Sequence, residues 1–204
     1  MNNLASYVIK SVIIGDKGVG KTTLSKRISQ ENVSYNEIST VGIDFFSVNV
    51  FVNETPVKLQ IWDTAGDERF LNLIKIYLKY NAICYIVYDV TNEQSFNNAQ
   101  KWIDLFKNET LNSKTIMVVV ANKIDKIKRV VSSNQGKEFA TKNNALYIET
   151  TCKMSQGINC MIYEPIEQIL KLYNEKIINT SDEFGFKNAM IVHNNHKKKC
   201  CSIQ

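Results

Sequence analysis

The chain has 204 residues, 44% of them hydrophobic, and a formal net charge of +5 at pH 7. That length supports one domain with a sizeable core and a tail. No apolar run is long enough to form a membrane-spanning helix, and no interleaved array of arginines and aromatics marks a nucleic-acid surface. The five cysteines lack C-x-x-C spacing, which argues against a zinc site or a disulfide framework. The N-terminus shows no signal-peptide pattern and carries Asn2 where myristoylation needs glycine, so a reducing, cytosolic setting is expected.

In chain order, an apolar run over 8–14 reads as a buried strand. It leads into Gly15-Asp16-Lys17-Gly18-Val19-Gly20-Lys21-Thr22, a G-x-x-x-x-G-K-T phosphate-binding loop, and a helix is expected over 21–31. Such glycines let the backbone wrap anionic oxygens, and the helix N-terminus offers unpaired N–H groups to them. The candidate phosphate contacts are Lys17, Gly18, Val19, Gly20, Lys21, Thr22 and Thr23, with Lys21 reaching the β/γ-phosphates and Thr22 ligating Mg²⁺.

Next, Ser39-Thr40-Val41-Gly42 supplies a second hydroxyl, Thr40, for the same cation. Strands over 45–52 and 57–62 follow, and the turn Asp63-Thr64-Ala65-Gly66 closes the second. Asp63 fits an outer-sphere Mg²⁺ partner, and Gly66 can bring its N–H to a γ-phosphate because no side chain blocks the approach. A helix is expected over 68–80, a strand over 82–88, a helix over 95–107 and a strand over 116–121. The last ends at Asn122-Lys123-Ile124-Asp125. A carboxylate at Asp125 accepts from both N–H donors on the Watson–Crick edge of guanine and is left unpaired against adenine. Lys123 packs along the base plane, and Asn122 ties this loop to the phosphate loop.

A helix over 132–143 and a strand over 146–149 precede Thr150-Thr151-Cys152-Lys153. There Thr151, Cys152 and Lys153 are candidates to place a backbone N–H on the guanine carbonyl oxygen. A last helix over 158–174 contains Pro165, where a kink is expected. Strands alternate with helices, so the fold class is α/β with a mainly parallel sheet and a ligand at the carboxyl ends of its strands. From about residue 174 the periodicity fades and Asn, Lys, His and Ser become frequent, which reads as a flexible linker. The chain ends Cys200-Cys201-Ser202-Ile203-Gln204 after Lys197-Lys198-Lys199. A C-a-a-X reading puts farnesyl on Cys201, and the three lysines add attraction to an anionic leaflet.

These motifs, with Val41-Gly42-Ile43-Asp44-Phe45, Lys58-Leu59-Gln60-Ile61-Trp62-Asp63, Glu68-Arg69-Phe70 and Val87-Tyr88-Asp89-Val90-Thr91, resemble the Rab family of the Ras superfamily of small GTPases. Asn122 to Lys126, Arg129-Val130, Ala145 to Glu149 and Gly157 to Cys160 are similar to Rab subfamily eighteen. The resemblance implies a three-layer P-loop NTPase fold, a Ras-like G domain with a six-stranded mainly parallel sheet over 1–173. A flexible tail over 174–199 and a prenylation motif over 200–204 follow. It implies Mg²⁺-dependent GTP hydrolysis with Lys21, Thr40, Gly66 and Asp67 at the reacting end, and geranylgeranyl on Cys201, Cys200 or both. The implied partners are GTP and GDP, an exchange factor, a GTPase-activating protein, a GDP-dissociation inhibitor, effectors and a membrane, with no nucleic acid and a monomeric chain. Its setting would be the cytoplasmic face of the endoplasmic reticulum, Golgi or lipid droplets. Ile43, Phe45, Trp62, Phe70 and Tyr77 read as an effector face or as core.

The chain departs from the family's pattern at four places. Asp67 stands where a Gln usually orients the attacking water, which leads us to expect slow intrinsic hydrolysis. Lys17 replaces a small residue, and either screens the phosphates, obstructs a partner's arginine, pairs with Asp67 or points to solvent. Val33 takes the place of an aromatic on the guanine, with Tyr35 a substitute, and Tyr77-Leu78-Lys79-Tyr80-Asn81 is altered. Rival readings are a scaffold that binds GTP but barely hydrolyses it, a farnesylated Ras-like signalling GTPase, and an adenine-specific P-loop enzyme, which Asp125 opposes.

Overall fold

The computed structural model describes residues 6–31, 40–181 and 184–189. A central strand, β1 (Tyr7–Ile14), pairs in parallel with β3 (Thr55–Thr64) on one side and β4 (Ile83–Asp89) on the other. The sheet runs outward through β5 (Ile116–Asn122) to β6 (Leu146–Thr150), and through β3 to β2 (Ile43–Val52), in the order β2-β3-β1-β4-β5-β6. β2 and β3 are antiparallel and joined at Asn53-Glu54, both at positive φ, the conformation a tight two-residue hairpin turn requires.

Both faces of the sheet are covered, which is why its central strands are mostly apolar on both sides, with Lys10 and Ser11 the polar exceptions within β1. Along β4, Ile83, Tyr85 and Val87 point to one core; Cys84, Ile86 and Tyr88 point to the other. The first core is closed by α1 (Lys21–Ile28) and α5 (Ile158–Asn174). The second is closed by α2 (Leu71–Leu78), α3 (Glu93–Glu109) and α4 (Ser133–Lys142). In α3, Ala99, Trp102, Ile103 and Phe106 recur at helical spacing and form the buried stripe. The Asn92 side chain caps this helix at Ser95 N, and Ser132 with Gln135 forms a reciprocal capping box on α4. The expected helix over 68–80 is a single 3₁₀ turn, Glu68–Phe70, followed by α2. Pro165 lies on the buried face of α5, which is assigned as one helix from 158 to 174.

Two expectations are corrected. Among the described residues the sheet has seven strands, not six, and the residues after 173 do not all belong to a flexible linker. β7 (Phe186–Asn188) lies antiparallel to β1, with Ile9 opposite Phe186 and Tyr7 opposite Asn188. β4 pairs with β1 only from Ser11 onward, which leaves the lower edge of β1 open to this strand. Lys10 N donates to Gly185 O at 2.6 Å, and Ala189 N to Ser6 O at 3.0 Å. Phe186 is fully buried between the rings of Tyr7 and Tyr173, at 5.1 and 5.4 Å. One aromatic in a polar stretch is enough to hold a short strand when a sheet edge awaits it.

Candidate active site

The carboxyl ends of β1, β3, β4, β5 and β6 converge on one edge of the sheet, and the motif residues follow from those ends. Gly20, at φ 99, precedes α1 in a left-handed conformation that a side chain would disfavour. Lys21 is 5% exposed, and its Nζ donates to Gly15 O at 2.7 Å and Asp16 O at 2.9 Å. Burial lowers the Lys21 ammonium to about 8, with the charges of Asp63 and Asp16 holding it up in part. Val19 is buried, Thr22 and Thr23 are partly exposed in the first turn of α1, and Lys17 and Gly18 are exposed.

Thr22, Thr40 and Asp63 form one cluster. Thr22 Oγ1 donates to Asp63 Oδ2 at 2.6 Å, Thr40 Oγ1 lies 3.4 Å from the same oxygen, and the two hydroxyls are 2.5 Å apart. Asp63 is fully buried, and its Oδ1 has no hydrogen-bond partner among the described residues. Burial pushes the Asp63 carboxyl up to about 6, against the Thr22 and Thr40 hydrogen bonds and the Lys21 charge. A buried carboxylate with an unpaired oxygen beside two hydroxyls is a donor set that fits a hard divalent cation of the Mg²⁺ type.

The candidate base-recognition motifs meet the candidate phosphate loop. Asn122 is buried; its Nδ2 donates to Val19 O at 2.8 Å, and its Oδ1 accepts from Thr150 Oγ1 at 3.1 Å. Lys123 Nζ donates to Gly18 O at 2.7 Å and pairs with Asp89 at 2.6 Å. Asp125 accepts from Thr151 Oγ1 at 2.6 Å, and Thr151 Oγ1 also accepts from Lys153 N at 3.2 Å. Arg27 Nε donates to Cys152 O at 2.9 Å and joins the end of α1 to this loop.

Gly66 rests on the phosphate loop. A Cβ on it would overlap the Asp16 carbonyl and Lys17 N, so only glycine fits here. Asp67 makes no salt bridge with Lys17, whose charge acts on it only as a smaller favourable influence than Arg69. It accepts from Arg69 N at 3.0 Å, which caps the 3₁₀ turn, and its two oxygens are forked by Arg69 Nε at 2.9 Å and Nη2 at 2.8 Å. Those hydrogen bonds hold the Asp67 carboxyl well below the usual range. The offset of two residues between Asp67 and Arg69 was visible in the sequence, but not that the side chains fold back on each other.

Of the aromatic face, Phe45 is 43% exposed, whereas Ile43, Trp62, Phe70 and Tyr77 are partly buried. The Phe45, Trp62 and Tyr77 rings form a row with centroid separations of 4.8 and 4.9 Å. Sequence reading missed one further group: Asp16 Oδ1 accepts from Trp102 Nε1 at 2.7 Å, and Asp16 Oδ2 from Asn98 Nδ2 at 2.8 Å. Asn98 and Trp102 stand one helical turn apart on α3, which was the available signal. Val33, Tyr35, Cys200 and Cys201 lie outside the described residues.

A family profile described as Ras family matches residues 10–171. The chain is 37% identical over 163 residues to a "Ras-related protein Rab-18" of Caenorhabditis elegans, covering 80% of each chain. It is 34% identical over 163 residues to a protein of the same name from Lymnaea stagnalis, covering 80% of this chain and 81% of that one. It is also 33% identical over 178 residues to "Ras-related protein RABA1f" of Arabidopsis thaliana, covering 87% of this chain and 82% of that one. With a doubly covered sheet, and with the G-x-x-x-x-G-K-T and N-K-x-D segments meeting at one edge, the chain belongs to the Ras family and is a Rab GTPase, similar to Rab-18, that hydrolyses GTP to GDP.

Proposed function

We propose that this Rab GTPase is a self-timed but slow switch in membrane trafficking, in which Lys17 to Thr23 hold the phosphates and Asn122, Lys123, Asp125 and Thr151 to Lys153 hold guanine. Support for the cation site comes from the cluster of Thr22, Thr40 and Asp63, with its unpaired buried oxygen. When bound, Mg²⁺ neutralises charge on the β- and γ-phosphates. Lys21 supplies a second positive charge there, and Thr40 and the Gly66 N–H sense whether the γ-phosphate is present. Its loss releases the segments around 33–45, of which 33–39 lie outside the described residues, and 64–78, and with them Phe45 and Tyr77 of the aromatic row that effectors of Rab type would read.

The observation that carries slow hydrolysis is the Arg69 fork on Asp67. An ionised carboxylate without a donor amide cannot orient water as Gln does, and each of its oxygens already accepts from Arg69. Small GTPases of this kind turn over on the order of 10⁻⁴ s⁻¹ unaided, and an activating protein adds up to about 10⁵. Single-turnover hydrolysis of bound GTP with Mg²⁺, for the natural chain and Asp67→Gln, tests this. Restored turnover in Asp67→Gln supports it; equal basal and activator-stimulated rates in the two proteins overturn it. A natural chain that stays inert even with an activator favours a binding-only scaffold.

Prenylation at Cys200, Cys201 or both, beside Lys197 to Lys199, would anchor the chain to the cytoplasmic face of an intracellular membrane. Rab-18-like sequence favours the endoplasmic reticulum, Golgi or lipid droplets. Exchange factors, activating proteins, a GDP-dissociation inhibitor and effectors would act on the monomeric chain. Among the described residues no helix is long and apolar enough to cross a membrane.

A further inference from the structure

Asp16 is the only acidic residue of the phosphate loop. A carboxylate turned toward bound phosphates would repel them. Here both of its oxygens are turned away, onto Trp102 Nε1 and Asn98 Nδ2 of α3. The backbone of the same residue faces the reacting end: Asp16 O accepts from Lys21 Nζ, and Gly66 lies directly against the Asp16 carbonyl. One residue therefore meets α3 through its side chain and both Lys21 and Gly66 through its backbone.

The loop's two ends are fixed differently. At the guanine end Asn122 and Lys123 grip Val19 O and Gly18 O. At the Asp16 end a cavity of about 470 Å³ opens between α3 and residues 66–71, lined by Asp16, Lys17, Gly66, Leu71, Asn98 and Trp102 among others. The loop's backbone is held by Lys21 and packed against Gly66, but on the side of this space the Asp16 side chain is fixed by its two hydrogen bonds to α3. Trp102 is well placed for it, being 6% exposed with its ring in the core beside Ala99, Ile103 and Phe106.

We propose that Asn98 and Trp102 are positioning residues: through Asp16 they set the gap between the phosphate loop and Gly66, and so govern γ-phosphate recognition and hydrolysis more than GDP binding. This rests on the GTPase reading. Both residues lie on α3, outside the phosphate-loop and base-recognition segments. A displacement of about 1 Å at a reacting centre costs up to about a hundredfold in rate.

The test uses the full chain with Mg²⁺ and compares Asn98→Ala, Trp102→Phe and the double variant with the natural protein. Three quantities are read: affinity for a non-hydrolysable GTP analogue relative to GDP, single-turnover hydrolysis, and the thermal midpoint of the GDP-bound form. The expected result for the double variant is a loss of about tenfold or more in the analogue-to-GDP ratio. Hydrolysis falls by at least as much, while GDP affinity changes by no more than about threefold. An unchanged ratio overturns the proposal, as does a parallel fall of both affinities with the thermal midpoint, which marks packing alone. If Trp102→Phe fails to fold, the partly exposed Asn98→Ala decides by the same ratio. A natural chain that does not hydrolyse GTP defeats the self-timed switch, yet the affinity ratio still decides this proposal.

Discussion

Arg69 holds both carboxylate oxygens of Asp67, at 2.9 and 2.8 Å, while Asp67 in turn caps the 3₁₀ turn at Arg69 N. The two residues form a closed local unit at the entrance of α2. The carboxylate is ionised at every physiological pH, since Arg69 holds it well below the usual range.

Arg69→Lys should separate the two roles of this unit. Lysine keeps the charge but not the planar fork. We expect the segment over 67–70 to exchange amide hydrogens faster, by about tenfold, with basal GTP hydrolysis still low because Asp67 remains. Hydrogen exchange by mass spectrometry and single-turnover assays read the two effects. A rise of hydrolysis to the level of Asp67→Gln would show that the fork, not the carboxylate, is inhibitory.

Asp125 is oriented by Thr151 Oγ1 at 2.6 Å, across a separation of 26 residues. Asp125→Ala removes the proposed acceptor for guanine, and GTP affinity should fall at least about a thousandfold, with little change toward ATP. Thr151→Val leaves the carboxylate but frees its rotamer, and the expected loss is about tenfold. Competition binding with GTP and ATP checks both. Equal loss of both nucleotides would place Asp125 outside base recognition.

Glu149 supplies the pH dependence. Burial raises its carboxyl, but hydrogen bonds from Arg129, Ser133 and Tyr147 and the Arg129 charge outweigh it and bring it to about 2. A carboxylate depressed on folding stabilises the protein fully above its unfolded value near 4.5. That contribution is lost as pH falls from there toward 2. The site is partly solvated, so the amount is about 1 kcal/mol. Urea unfolding at pH 7 and pH 3.5 should show a steeper loss in the natural chain than in Glu149→Gln. Parallel losses would remove Glu149 as the cause.

Phe186→Ala empties a fully buried site between Tyr7 and Tyr173 and should cost about 3–5 kcal/mol. The urea midpoint reads the stability. Hydrogen exchange should rise along 184–189 and the start of β1, while GDP affinity stays near its natural value because β7 lies at the opposite end of β1 from the phosphate loop. An unchanged midpoint would mean that β7 contributes little to the fold.

The G-x-x-x-x-G-K-T, D-T-A-G and N-K-x-D segments were legible because each is a short loop closing an apolar strand. Strand, turn and helix signals are local, and the parallel alternation follows from them. β7 was not legible: three residues around Phe186 have no period of their own, and their pairing depends on the stretch of β1 that β4 leaves uncovered. Chemistry alone made Lys17 as good a partner for Asp67 as Arg69. The 3₁₀ turn chose Arg69 by folding residue 69 back on residue 67.

The sequence by itself determined the family and the strand–loop–helix order, because those depend on neighbours in the chain. Only the tertiary structure decided that Asp63 is buried with an unpaired oxygen and that Asp16 is held by α3 at separations of 82 and 86 residues. It likewise decided that Asn122 grips Val19, 103 residues away. Such contacts are set by how strands order in a sheet and how helices cover it. No local pattern encodes them, since each needs two distant elements to reach the same place before any hydrogen bond can form.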